Sequence, residues 1–458
     1  MRILCPTGHL SFTPFEQESF LAGCEQDPDV LVADAGSCDI GPRGLGANAQ
    51  VSPVPWQRQD LEAMLLQARR LGIPMIIGSA SDAGTDHGVD HFVSLIQDIA
   101  AEHRLASFEL AAIYSEVPVE DLKRRLSRGE RIAGLDGRPD ATMDLLERTD
   151  RVVAVMNADP IRQALLDGAD VVVAGRSSDC ALFAAPLLNA GFSPAISYFT
   201  GKLMECASFC AEPYAGKETI LGRVVDEEVF VTAMHPGQRC TPKSVAGHSM
   251  YERSNPFREY VAGGYVEMSN CEYTQVDEKT TKVTGARFVP SSELSVKLEG
   301  AGFVGHRRLA ISGFRDPHSI EKIDEVIGWS RGKLTERFGA PGDEYRVFFH
   351  VYGRNGVMGD LGPRPDVRPH ELAVVVEVVS LDETLAEEVC TLAARNMFYA
   401  RVPGFKGTAG ASAVMTDGIL TADDAYEWTL NHTLVVDDLN ELVRTRFFRI
   451  GAAQMVAS

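Results

Sequence analysis

The sequence lacks the segments and motifs that define several large protein classes. No apolar run approaches the length of a membrane-spanning helix, and the start, Met1-Arg-Ile-Leu-Cys-Pro-Thr-Gly8, has no basic segment followed by an apolar one. We therefore expect a cytoplasmic protein. The P-loop motif, a GxGxxG motif that leads from a strand into a helix, and the GxSxG motif are also absent. P-loop nucleotide binding, Rossmann dinucleotide binding and α/β-hydrolase chemistry thus gain no support.

Positive charge is scarce. The 44 Lys and Arg residues face 64 Asp and Glu residues, which gives a net charge of −20 over 458 residues. Such a surface repels nucleic-acid phosphates and anionic membranes, so we expect neither as a partner. A small anionic substrate is compatible with this charge, because backbone N–H groups and arginines act at short range.

The cysteines show no disulfide framework. Their number is nine, which is odd, and they are widely scattered in a chain without an export signal. We therefore expect reduced thiols. Cys206 and Cys210 form a CxxxC pair, but no second pair or histidine follows at the spacing of a zinc site.

Strand and helix patterns alternate through the first part of the chain, which is typical of parallel βαβ units. The expected strands lie at 30–34, 74–78, 108–113, 151–156 and 170–174. After Gly191, short alternating runs predict antiparallel strands, with a long helix at 317–338. We expect an α/β fold whose N-terminal parallel-sheet domain precedes a mixed or antiparallel α+β region. The predicted domains are residues 1–205, 206–345 and 346–458.

Three of the expected strands end in the same way. The stretches 30–39, 74–82 and 170–181 each pass from an apolar run to glycine, serine and aspartate. The ends of parallel strands meet at one edge of a sheet, where open α/β sheets bind ligands. The stretch at 170–181 also enters a probable helix, whose N-terminus suits an anion, although Ser and Asp there are equally expected as ordinary caps.

These strand ends supply most of the candidate site residues. Carboxylates suited to general acid–base work or to a divalent metal are Asp34, Asp39, Asp82 and Asp179. Cys38 is a candidate nucleophile or acid, although a small buried apolar role is commoner for a free cysteine. The candidate substrate-binding residues are Ser37, Gly78, Ser79, Ser81, Arg176, Ser177 and Ser178, with Arg239 and Thr241 from a later Pro-bounded turn. No cofactor is identified by a motif.

The motifs, taken in order, resemble the acyclic terpene utilisation (AtuA-like) family. The resemblance covers nearly the whole chain and includes the segments 5–9, 34–42, 77–84, 174–181, 240–242, 296–301 and 352–359. It implies a protein of bacterial catabolic operons that handle branched carboxylic acids, often as coenzyme A thioesters. It also implies a small companion protein, encoded alongside or fused at the C-terminus, and here we expect a separate subunit. The resemblance supplies no catalytic residues.

We therefore expect a homo-oligomeric catabolic enzyme acting on a small branched carboxylate or acyl thioester. Hydration, dehydration or double-bond isomerisation by acid–base chemistry is favoured, with Arg176, Ser177 and Ser178 holding the carboxylate or developing enolate. The alternatives are a cysteine- or serine-dependent hydrolase of an ester, thioester or amide, and a non-catalytic subunit of a catabolic complex. A catalytic role predicts that Arg176→Ala abolishes turnover and leaves the melting temperature nearly unchanged.

Overall fold

The computed structural model describes residues 1–362, 368–400, 412–414 and 418–451, with the backbone alone for 412–414. The chain divides into two compact units. The first consists of Met1–Gly302 together with Trp428–Ser458, and the second is Phe303–Glu427. This division differs from the three predicted segments, whose boundaries as separate folding domains stay a prediction.

Strands occur in both units. In chain order they are β1 (Arg2–Cys5), β2 (Val30–Gly36), β3 (Met75–Asp82), β4 (Phe108–Tyr114), β5 (Ile132–Gly134), β6 (Arg151–Val155), β7 (Val171–Ala174), β8 (Ala211–Glu212), β9 (Ile220–Val225), β10 (Glu228–Ala233), β11 (Arg239–Cys240), β12 (Arg258–Val261), β13 (Gly264–Glu267), β14 (Glu272–Gln275), β15 (Thr280–Thr284), β16 (Arg287–Pro290), β17 (Ser295–Phe314), β18 (Tyr345–Tyr352), β19 (Leu372–Ser380), β20 (Ser412–Val414), β21 (Leu420–Thr421), β22 (Ala425–Val435) and β23 (Arg444–Ile450).

The helices are α1 (Gln17–Cys24), α2 (Arg43–Gly46), α3 (Val54–Leu71), α4 (Asp86–Glu102), α5 (Val119–Ser127), α6 (Met143–Glu147), α7 (Ala158–Leu166), α8 (Asp179–Asn189), α9 (Pro194–Met204), α10 (Pro242–Ser249), α11 (Pro317–Glu321), α12 (Ile323–Phe338) and α13 (Glu383–Tyr399). Within the described ranges, none of the helices has the length and apolar character needed to cross a membrane.

The first unit is built on one large sheet with a parallel centre. Strands β1, β2, β3, β7 and β4 lie side by side in that order, and each neighbouring pair is parallel. Antiparallel strands extend the sheet, with β9, β10, β15 and β14 beyond β1, and β23 beyond β4. The predicted α/β class is confirmed. Because β2, β3 and β7 are adjacent and parallel, their three polar ends lie next to each other.

Both faces of this sheet are covered, which explains its nearly continuous apolar strands. Strands β2 and β3 are buried at every position. One face packs against α3 and α4 through side chains such as Leu61 and Phe92, and the other packs against α7, α8 and α9 through side chains such as Ile161, Phe183 and Phe199.

The prediction that residues 151–156 form a strand of the parallel sheet is wrong. Strand β6 does not join the parallel sheet but pairs antiparallel with the first part of β17, where Val153 lies opposite Glu299. An apolar run identifies a buried strand without identifying its partner, since the pairing depends on a segment far along the chain. The later antiparallel strands β9 and β10, in contrast, extend the sheet that the first residues begin.

The second unit, Phe303–Glu427, is a smaller α+β structure. Strand β19 lies between β18 and the second part of β17, and both pairs are antiparallel. Val374, Val376 and Val378 alternate into a core that also contains residues of α12 and α13. The helix expected at 317–338 is two helices that meet at Lys322, which ends α11 and precedes α12.

Candidate active site

The backbone brings the ends of β2, β3 and β7 into close contact. Gly36 of β2 pairs with Asp82 of β3, past a register shift after Asp34. The N–H of Ser79 donates to the carbonyl of Gly175 at 3.0 Å. Just beyond β7, the N–H of Arg176 donates to the carbonyl of Gly84 at 3.0 Å.

The end of β3 holds an unusual backbone conformation. Ser79, Ser81 and Asp82 have φ values of 45°, 54° and 72°, in the left-handed region that non-glycine residues rarely adopt. Each such residue costs about 1–3 kcal/mol and persists only where surrounding contacts hold it. Such conformations concentrate at functional sites, so this cluster supports a special role for the strand end.

The close approach at Gly84 gives a stability prediction. Gly84 has φ +64°, and a Cβ atom there would lie 2.3 Å from the backbone nitrogen of Arg176. Gly84→Ala should therefore combine left-handed strain of about 1 kcal/mol with overpacking of about 1–3 kcal/mol. The control is Gly129→Ala, because Gly129 has φ +84° but open space around a Cβ. Urea unfolding should show a loss near 1 kcal/mol for the control and clearly more for Gly84→Ala; equal losses would contradict the contact.

Two carboxyl groups, Asp34 and Asp179, form the centre of the cluster. Asp34 is buried, its Oδ1 accepts the Ala35 N–H at 2.8 Å, and its Oδ2 is buried without a hydrogen-bond partner among the described residues. Burial and then the charge of Asp179 raise the pKa of Asp34 well above its usual range. The pair therefore favours a proton on Asp34 beside an ionised Asp179.

Asp179 is the more accessible member of the pair. Its side chain is 46% exposed, although it lies among the protein atoms that line this edge of the sheet. Burial raises the pKa of Asp179 while Arg176 lowers it, and the charge of Glu205 raises it further. The net effect is a raised pKa, so Asp179 is a better proton acceptor than an ordinary surface aspartate.

Arg176 is held by an acid from a distant strand. Its Nε donates to Glu299 Oε2 at 2.8 Å, and its Nη1 donates to the Ser79 hydroxyl oxygen at 3.0 Å. Glu299 also accepts from Lys297 Nζ at 2.8 Å. Burial would lower the pKa of Arg176, but the charges of Glu299 and Asp179 raise it. Burial would raise the pKa of Glu299, but the charges of Arg176 and Lys297 lower it to about 2. This is a fully ionised, buried pair.

The serines at the strand ends orient this pair. Ser79 is completely buried, and its hydroxyl oxygen also accepts the N–H of Ser177 at 3.3 Å. The Ser177 hydroxyl donates to the carbonyl of Gly175 at 2.8 Å, so it is already bonded. Ser178 is the N-cap of α8 without a side-chain capping bond, which leaves its half-buried hydroxyl available.

Asp82 and Ser81 are already bonded to a neighbouring segment. Asp82 Oδ2 accepts the N–H groups of Val51 and Ser52 at 3.0 and 2.9 Å, and its Oδ1 accepts the Ser52 hydroxyl. Ser81 Oγ accepts from Gln57 Nε2 at 3.2 Å. These contacts support a positioning role for both residues, and their predicted roles in proton transfer and substrate binding stay predictions.

Two of the predicted binding residues, Arg239 and Thr241, have contacts elsewhere, whereas Gly78 lies opposite Asp34 in the sheet. A Cβ at Gly78 would lie 2.4 Å from Leu182, so this glycine permits α8 to pack on β3. Arg239 is exposed and pairs with Glu212 across the two-stranded sheet of β8 and β11. Thr241 caps α10 in a capping box. No hydrogen bond or ion pair within the described ranges joins the side chain of Arg239 or Thr241 to Asp34, Asp179 or Arg176.

The predicted residues that follow β2, Ser37 to Asp39, lie beside a cleft of about 750 Å³. Cys38 and Asp39 line this cleft together with Glu299, the acidic partner of Arg176. Ser37 begins this turn and accepts the Asp39 N–H at 3.1 Å. Further lining residues are apolar or aromatic (Leu135, Tyr260, Trp428, Leu430), cationic (Arg138, Arg253, Arg258, Lys297), acidic (Asp136, Glu252) and neutral polar (Ser254, Asn255, Asn431). The cleft can therefore receive a ligand with an apolar part and a polar or charged part.

Sequence reasoning missed Glu299, Lys297 and Glu205 as candidate site residues. The signal for the first two was present, because they alternate with buried Val296 and Leu298 along β17, which places two opposite charges on one face of the strand. Their proximity to Arg176 could not be read from the sequence, because it depends on pairing across more than a hundred residues. Among the described residues, no three His, Cys, Asp or Glu side chains are arranged to hold a metal ion.

The fold and this cluster define a class: an α/β protein with acidic and basic groups at the carboxyl edge of a parallel sheet. A scan against protein families matches residues 1–422 to the model described as "Acyclic terpene utilisation family protein AtuA". The chain belongs to this family, as its motifs indicated. No curated protein matches the chain. The search of solved structures found no match either.

Proposed function

We propose that the chain is a catabolic enzyme that adds water to, removes water from, or shifts a double bond in a small branched carboxylate or acyl thioester. The observation that carries this proposal is the Asp34–Asp179 pair, in which one carboxyl group is favoured as the acid and the other as the carboxylate. General acid–base catalysis needs both forms at one place. Membership of a terpene utilisation family supports the catabolic role.

The pair can carry both proton transfers of a hydration. The Asp179 carboxylate takes a proton from water while the water oxygen bonds to the β-carbon. The π electrons of the C=C bond then take the proton of Asp34 at the α-carbon. One proton has moved from Asp34 to substrate and one from water to Asp179, so a single transfer between the two carboxyl groups restores the starting state. Dehydration is the reverse.

Positive charges near the carboxyl pair can stabilise the negative charge that develops on the substrate carbonyl when it becomes enolate-like. Lys297 is 38% exposed and lies beside Glu299 at the cleft. Arg176 is occupied by Glu299 and Ser79, so we assign it to positioning of the carboxyl pair. The half-buried Ser178 hydroxyl and the cations of the cleft are then the groups that bind the anionic part of the substrate.

The hydrolase alternative has less support from the contacts. Cys38 is exposed, and partial desolvation by its neighbours raises the pKa of its thiol, which disfavours the thiolate. Among the described hydrogen bonds, none joins its sulfur to a base. Ser79 and Ser177 are engaged with Arg176 and a backbone carbonyl. The third possibility, a non-catalytic subunit, becomes an outcome of the experiment below.

The test is solvent exchange in D₂O. Purified protein is incubated with the coenzyme A thioesters of 3-methylbut-2-enoic acid and of its hydrated 3-hydroxy form, and mass spectrometry follows deuterium at the α-carbon and gain or loss of water. We expect exchange and water addition with the wild type. Asp179→Asn should slow water addition by about 10²–10⁴-fold, because the base that takes the proton from water is removed.

The matched control is Asp39→Asn, because Asp39 lines the cleft beside Glu299, whereas its contact with Ser37 uses only the backbone N–H. This variant should keep exchange within about threefold of the wild type. The absence of exchange and of water addition with every thioester tested would contradict the proposed reaction and favour a non-catalytic subunit.

A further inference from the structure

His9 is a buried polar group that the proposed chemistry has not used. It follows β1, next to the strand that carries Asp34, and the N–H of Leu10 donates to the carbonyl of Asp34 at 2.7 Å. The His9 Nε2 atom is buried and has no hydrogen-bond partner among the described residues. A buried ring nitrogen without a partner is costly, so it needs an explanation.

The side chain and the backbone of His9 each have one close partner. The ring stacks on Phe12 with 5.0 Å between ring centroids, and Lys217 Nζ donates to the backbone carbonyl of His9 at 2.5 Å. The nearest carboxylate oxygen, Asp82 Oδ1, lies 3.9 Å from Nε2 and already accepts the Ser52 hydroxyl. The imidazole is therefore oriented by its neighbours, while its buried nitrogen stays unpaired.

The charges that act on His9 come from Lys217, Asp82, Arg176 and Asp179, of which the last belongs to the carboxyl pair. Burial lowers the pKa of His9 to about 4, and Lys217 and Arg176 lower it while Asp82 and Asp179 raise it. The imidazole is thus neutral at pH 7 and can donate or accept one hydrogen bond at Nε2, depending on its tautomer. Gly8 beside it would place a Cβ 3.3 Å from Cys206 Sγ, so this wall of the site is closely packed.

We propose that His9 binds, through the unpaired Nε2, the oxygen that is added as water in hydration and that takes a proton from Asp179 and leaves as water in dehydration. The inference rests on the proposed function and narrows it, because a double-bond shift has no such oxygen to bind. Hydration and dehydration are then the reaction. The Asp34–Asp179 pair still makes both proton transfers, and His9 contributes only a hydrogen bond that orients the oxygen.

The test separates the two parts of the reaction. His9→Leu keeps an apolar side chain at the position and removes the ring nitrogens, whereas His9→Gln can place an amide group near the position of Nε2. On the 3-hydroxyacyl thioester, α-hydrogen exchange in D₂O reports the carboxyl pair, and loss of water reports the oxygen site. The thermal midpoint of each variant is measured beside the wild type.

We expect His9→Leu to slow water addition and removal by about 100-fold, because misplacement of a reacting group has costs of this order. Its α-hydrogen exchange should fall less than about threefold, and His9→Gln should recover water addition to within about tenfold of the wild type. Equal loss of both reactions, or full activity in His9→Leu, would overturn the role of His9 and leave the proposed function standing. Absence of exchange in the wild type would overturn the proposed function itself.

Discussion

Arg176→Ala should destabilise the protein by about 3–5 kcal/mol, because it leaves Glu299 buried without its partner. Glu299 is 4% exposed and Arg176 is 7% exposed, so neither charge can be solvated by a small rearrangement. Lys297 alone would face the Glu299 carboxylate, and Ser79 would lose the guanidinium that it binds. Loss of turnover would follow from this collapse around the carboxyl pair.

This result would revise the expectation drawn from the sequence, which had turnover lost and the melting temperature nearly unchanged. Urea unfolding of Arg176→Ala is compared with that of Arg239→Ala, whose guanidinium pairs with Glu212 at 3.4 Å and is 61% exposed. The exposed pair should contribute less than about 1 kcal/mol. An Arg176→Ala protein as stable as the wild type would show that the buried pair does not support the fold.

A double variant distinguishes the unpaired charge from simple loss of contacts. Arg176→Met with Glu299→Leu removes both charges and keeps similar side-chain volumes. Because apolar replacement of a complete buried pair is often neutral, the double variant should be more stable than Arg176→Ala. It should still be inactive, since Asp34 and Asp179 would lose the positive charge beside them.

The second large effect concerns Asp34. Asp34→Asn should lower turnover by about 10²–10⁴-fold, because the amide cannot release the proton that the α-carbon receives. Asparagine has nearly the same shape as a protonated aspartate, and its amide oxygen can still accept the Ala35 N–H, so the fold should persist. The variant should also be more stable than the wild type above neutral pH.

The sign of the stability effect follows from the raised pKa of Asp34, which burial causes first and Asp179 second. The folded protein keeps a proton that the unfolded chain releases once the pH exceeds about 4. Wild-type stability therefore falls as the pH rises from that value towards the raised pKa. Asparagine has no such dependence, so the difference in melting temperature should grow from pH 5 to pH 8 in favour of Asp34→Asn. A constant difference would contradict a raised pKa.

The sequence allowed the location of the site to be predicted better than its bonding. Three apolar runs ending in Gly, Ser and Asp predicted strand ends at one sheet edge, and β2, β3 and β7 are neighbours in that sheet. The pattern can be read from each short segment alone. Because the carboxyl ends of parallel strands lie at the same edge of a sheet, it also predicts that the three segments are close in the fold. The resemblance to the family drew in part on motifs at the same strand ends, and the family model that matches residues 1–422 confirms the family.

The partners of each side chain could not be predicted, because they come from distant segments. Arg176 carries a charge suited to an anionic substrate, yet Glu299 of β17 occupies it. Asp82 has the same local pattern as Asp34, but Val51 and Ser52 use its oxygens. The two aspartates differ only in what the fold places opposite them.

The most direct measurement is the infrared spectrum of the carboxyl groups at pH 7. The account predicts a protonated-carboxyl band at pH 7 whose Asp34 component is lost in Asp34→Asn and kept in Asp39→Asn. A component from Glu259, whose pKa burial raises to about 7, should stay in both variants. In Asp179→Asn the band should change in position or titrate at a lower pH, because the neighbouring charge that favours protonation is gone. A wild-type spectrum with no protonated carboxyl band, or a band that Asp34→Asn leaves unchanged, would contradict the proton-sharing pair.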